Sequence, residues 1–102
     1  MARDSYAYRE VAVQSVADAA SGRLRIHPIP GQAFAPSLRV RCASAMRDAA
    51  RFPAGTRFLV SAKLTDRLGG TPYLYVHHGD PIVVLSAAGA RKFLAQFRRG
   101  RI

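Results

Sequence analysis

Apolar and polar positions alternate most cleanly between Arg57 and Leu64. Phe58, Val60, Ala62 and Leu64 fall on one side, and Arg57, Leu59, Ser61 and Lys63 on the other. A period of two is the signature of a half-buried β-strand. Thr65 to Thr71 supplies turn residues around Gly69-Gly70. Pro72 to His78 then returns with Leu74 and Val76 on the core side and Tyr73, Tyr75 and His77 opposite. Gly79-Asp80-Pro81 turns the chain again. Ile82 to Leu85 is uniformly apolar, which predicts a central, covered strand. This half of the chain therefore reads as a three-stranded antiparallel meander.

The remaining segments carry weaker patterns. Tyr8, Val11, Ala12, Ser15, Val16 and Ala19 recur at helical spacing, but Val11 and Val13 flanked by Tyr6 and Tyr8 also fit a strand. The strand is preferred, because Ser21-Gly22 would turn the chain into Arg23-Leu24-Arg25-Ile26, which alternates as a strand should. His27-Pro28-Ile29-Pro30-Gly31 is expected to break any ladder, since neither proline has a backbone donor. From Ser37, the apolar stripe of Leu38, Cys42, Ala45, Met46, Ala49 and Phe52 predicts a helix that ends at Pro53, with Arg39, Arg47 and Arg51 off the stripe. Its rival is a short strand at Leu38-Val40-Cys42 preceding a shorter helix. Ser86 is a good N-cap for a last helix whose Ala90, Phe93, Leu94 and Phe97 would cover the sheet. The expected fold class is a small α+β domain spanning residues 1–102, an antiparallel sheet packed by two helices. A partly closed small β-barrel is the alternative.

Charge changes the picture more than length does. Sixteen Lys and Arg stand against six Asp and Glu, a net charge of +10, and fourteen of the sixteen cations are arginine. Such a surface favours a polyanionic partner, and Arg can fork onto a phosphate as Lys cannot. If the strands pair as read, one sheet face presents Arg57, Lys63, Tyr73, Tyr75 and His77 together. Cations beside aromatic rings suit the backbone and bases of a single strand. Leu59 on the same face favours the opposing reading, in which a helix covers it and the tyrosines belong to the core. Arg98, Arg99 and Arg101 form a basic tail, expected to be frayed and to add unspecific electrostatic affinity.

Other chemistries find little footing. His77 and His78 point to opposite faces of a strand, and no CxxC or HxxxH spacing offers further ligands, so no metal is expected. Cys42 on an apolar stripe reads as packed and inert. The carboxylates Asp4, Glu10, Asp18, Asp48, Asp66 and Asp80 form no acid and base pair. Gly69-Gly70-Thr71 lacks the Lys and following helix of a phosphate loop. No cofactor, small-molecule substrate or membrane contact is expected. The polar start of the chain and its single cysteine fit a cytoplasmic protein. The function expected is non-enzymatic nucleic-acid binding with low sequence specificity. The alternative is an accessory subunit that meets an acidic protein partner or forms a homodimer.

Overall fold

The computed structural model describes residues 8–66, 70–77 and 79–98, with the side chains of residues 97 and 98 outside that description. Six strands, named β1 to β6, form one sheet: Arg9–Ala17, Leu24–Pro28, Arg39–Arg41, Arg57–Thr65, Tyr73–Val76 and Val83–Leu85. A 3-10 turn spans Ser44–Arg47, and the helix α1 spans Ala87–Arg98. The strand order is β2-β1-β4-β5-β3, with β6 also on β4. β3 runs parallel to β5, and the other pairings are antiparallel. The sheet curls until β2 and β3 lie side by side, so the fold is a nearly closed small barrel with one helix. This is the alternative architecture and not a sheet packed by two helices.

The helix expected over 37–52 is absent. Its apolar stripe is real, since Met46 is buried and Leu38, Cys42 and Phe52 pack on the core. The backbone nevertheless follows the shorter period of Arg39-Val40-Arg41, where Val40 is buried and both arginines are exposed. Pairing of that strand with β5 settles a segment whose side chains satisfy either geometry. Asp48 then ends the 3-10 turn by folding back on itself, its side chain accepting from the Ala50 amide at 3.0 Å and its carbonyl from Phe52 at 2.8 Å.

The meander needs correction as well. β5 and β6 do not pair with each other. Both lie on the edge of β4 opposite β1, β5 against its second half and β6 against its first. β6 is not a covered central strand, for Val83 and Val84 are 44% and 53% exposed. Leu64, at the far end of β4, is also exposed and lies outside the core its alternation assigned it to.

The interior is filled from alternate positions: Val11 and Val13 from β1, Ile26 from β2, Val40 from β3, Phe58, Val60 and Ala62 from β4, and Leu74 and Val76 from β5. The β1–β2 turn closes through Asp18, whose amide donates to the Arg23 carbonyl at 2.8 Å, and Gly22 occupies a left-handed φ of 73° that favours glycine. β2 extends through Pro28, which pairs with Val13. Beyond it the Gln32 side chain takes over the β1 edge: its Oε1 accepts from the Ala12 amide and its Nε2 donates to the Ala12 carbonyl, both at 2.8 Å. Ala12 is fully buried. Gln32→Ala is therefore expected to lower unfolding free energy by about 1–3 kcal/mol, the cost of orphaning a buried amide, read as a lower urea midpoint at unchanged slope.

The Ser86 cap is present: its hydroxyl accepts from the Gly89 amide at 2.9 Å and starts α1, which packs on β1 and β6 through the buried Ala90. Among the described residues, no helix is long and apolar enough to cross a membrane.

Candidate nucleic-acid interface

The β3–β5–β4 pairing aligns side chains in rows across the outside of the barrel. Arg39 stands beside Tyr73, and Tyr73 beside Thr65. Arg41 stands beside Tyr75, and Tyr75 beside Lys63. Register partners share a face, and the inward neighbours Val40, Leu74 and Ala62 are buried, so these rows point outward. Tyr73 and Tyr75 are half-buried, whereas Arg39 and Arg41 are exposed. The cations already lie over rings, with the Arg41 guanidinium 5.7 Å from the Tyr73 centroid and the Lys63 ammonium 5.7 Å from that of Tyr8.

Arg39 and Arg41 also open onto the barrel seam. There, a groove of about 790 Å³ runs between β2 and β3, lined by Arg25, Arg39, Arg41 and Arg47 over Ile26 and Val40, and by Tyr73 at its end. Among the described residues, no carboxylate lines it. The seam exists because β2 and β3 meet without a ladder. His27 bridges it by donating from Nδ1 to the Leu38 carbonyl at 2.9 Å. Arg25 is partly engaged, with its Nε 3.8 Å from Asp18 in a long, exposed contact. The Ser21 hydroxyl donating to Asp18, with the Arg25 charge behind it, holds that carboxyl below the ordinary carboxylate range. Burial pushes the Cys42 thiol up despite the Arg47 charge, so this groove-lining sulfur is a poor nucleophile.

Of the residues expected at the site, Lys63, Tyr73 and Tyr75 come together as the alternation implies. Arg57 does not join them. It pairs with Gln14 and Leu85 at the opposite end of β4, about 20 Å along the strand from Lys63. His77 leaves the sheet in the turn after β5, where its Nδ1 accepts from the Gly79 amide at 3.1 Å. The side chain of Arg98 and the whole of Arg99 lie outside the described residues, as does His78.

Arg25, Arg39, Arg41 and Arg47 were not expected at the site. Placing Arg39 and Arg47 off the stripe of an expected helix hid them, although the alternation of Arg39-Val40-Arg41 and of Arg25 with Ile26 carried the signal. No grouping of three His, Cys, Asp or Glu able to hold a metal ion occurs among the described residues. Set against known protein families, curated proteins and solved structures, the chain matches none, so its functional reading stands on the groove and the face beside it.

Proposed function

We propose that the protein is a non-enzymatic module that binds single-stranded nucleic acid with low sequence specificity, phosphates in the seam groove and bases against the tyrosine face. One observation supports this reading: among the described residues, four arginines and no carboxylate line a groove that includes Tyr73, and Tyr75 stands two residues further along β5, in register with Arg41. Guanidinium groups neutralise phosphates, and rings beside them offer stacking that tolerates any base. An extended strand suits the site better than a duplex, because stacking on Tyr75 requires bases released from pairing.

The test is an anisotropy titration with labelled single-stranded DNA, RNA and duplex DNA over a range of salt, against an unrelated protein of similar charge. Single-strand binding should exceed the control at physiological salt. Tyr75→Ala should weaken it by about 1–3 kcal/mol, the value of one base stacked on a ring. A Tyr75→Ala protein that loses thermal stability but binds as before would place that ring in the packing and end the stacking part of the proposal.

A further inference from the structure

Among the described residues the exposed large apolar side chains are Val16, Leu64, Val83 and Val84, and the last two are neighbours on β6. β6 is also a sheet edge. It takes up the flank of β4 after the His77 to Ile82 excursion, and no strand lies on its other side among the described residues. Ser15 bonds to Thr56 and Gly55 on one flank of β1, while Ala12 bonds to Gln32 and Ile29 on the other, so the Val11 and Val13 backbones turn toward β4. Their register partners Val60 and Phe58 turn back toward β1, which turns Arg57 and Leu59 toward β6. Val83 and Leu85 therefore bond to β4. The N–H and C=O of Val84 both project from the open edge and meet no partner among the described residues.

Sheet edges are ordinarily guarded by a lysine, a proline or a covering loop. In β6 the outward residue is a valine, and no charged side chain occurs from Pro81 to Ala90 in a chain of net charge +10. Pro81, Ser86, Ala87 and Ala88 beside it are exposed, uncharged and compact, leaving room for a second backbone. Two copies of this chain repel each other over most of their surface, and this edge is a place where they can approach. An acidic partner is instead drawn to the arginines, and a phosphate finds no cation on this strand.

The edge is also self-complementary. A two-fold axis at Val84 sets two β6 strands antiparallel, each Val84 donating to and accepting from its counterpart. Val83 then stands against the partner's Leu85, and Ile82 against the partner's Ser86. Each outward row reads Arg57, Leu85, the partner's Val83 and the partner's Leu59, so the two arginines lie at opposite ends.

We infer that the protein self-associates as a two-fold dimer through β6, which joins both β4 strands in one continuous sheet. The inference is independent of the nucleic-acid reading, for none of the residues lining the groove lies on β6. Three-residue strands make few bonds and a small interface, so the dimer forms in a concentration-dependent way.

The experiment is sedimentation of the whole chain from about 10 μM to about 1 mM, with amide exchange followed by NMR over the same range. The mean mass should rise from one chain to two and no further, and exchange of the Val84 amide should slow as it does. Val84→Pro removes the outward N–H, and Val84→Lys sets a charge on the edge while keeping the backbone. Each should associate about 30-fold more weakly. Val16→Lys removes a comparably exposed valine from β1 and should associate as the wild type does. Circular dichroism establishes that the variants are folded. A wild-type chain that stays monomeric, with Val84 exchange independent of concentration, overturns the inference without recourse to any variant. A mass that climbs past two chains overturns it too, since a two-fold contact closes on itself. So does a dimer that both folded Val84 variants retain, or one that Val16→Lys weakens equally.

Discussion

Replacing Arg39 and Arg41 together by alanine should lower single-strand affinity about 30-fold, and should flatten the dependence of log K on log salt by about 1.4. The affinity figure takes about 1 kcal/mol for each exposed, charge-assisted phosphate contact, below the usual range because water screens both groups. The slope takes about 0.7 for each single-strand phosphate released. Both side chains project outward from β3 between the groove and the tyrosines, so they would meet the strand at its centre. The matched control is Arg91→Ala/Lys92→Ala, which removes the same charge from exposed positions on α1. An equal loss in the control would show that net charge, and not the groove, attracts the strand. Stability should change little in either pair, since exposed side chains away from caps and packing contribute within about 0.5 kcal/mol.

The largest stability effect is expected at Phe58. This ring is fully buried, and its residue pairs with Val13 on one side and Val84 on the other. It also meets Phe52 edge to face, with centroids 5.3 Å apart and planes at 81°. Phe58→Ala should cost about 3–5 kcal/mol through lost burial and the void left in a barrel that cannot collapse around it. Against a total of roughly 5–15 kcal/mol for a chain of this size, that is a large share, and Tm should fall by roughly 15–25 °C. Calorimetry or thermal circular dichroism measures this directly. A fall of only a few degrees would mean that the interior is loosely packed around the ring.

The parts of the fold legible in the sequence are those where one periodicity dominates. β4 alternates over its full length, and β5 follows after a glycine turn, so the face joining Lys63, Tyr73 and Tyr75 could be read directly. The segment around Val40 could not be, because Leu38, Cys42, Met46 and Phe52 keep to the core under either period. Only the parallel pairing with β5, a contact between segments some thirty residues apart, decides between them. Half of the groove was hidden for that reason. The exposure of β6 was equally illegible: Ile82 to Leu85 resembles a buried strand, but the His77 excursion delivers it to the outside of β4 with nothing beyond it in the sheet. Arg57 lies apart from the tyrosines for a simpler reason. Sharing a face with Lys63 says nothing about sharing a place on it.

If the proposed strand binds at the seam between β2 and β3, binding and folding become one thermodynamic system. Among the described residues, β3 is tied to β5 by three residue pairs and meets β2 without a ladder, the His27 bond to the Leu38 carbonyl lying just before it, so this wall of the barrel is lightly secured. A strand held at once by Arg25 on β2 and by Arg39 and Arg41 on β3 spans that junction as a missing strand would. By linkage, whatever free energy the ligand gains there is added to the cost of opening the barrel, about 2.7 kcal/mol at a hundredfold excess over Kd. On the proposed reading, a bound nucleic acid would act as a structural member, completing a cylinder that the polypeptide leaves unfinished.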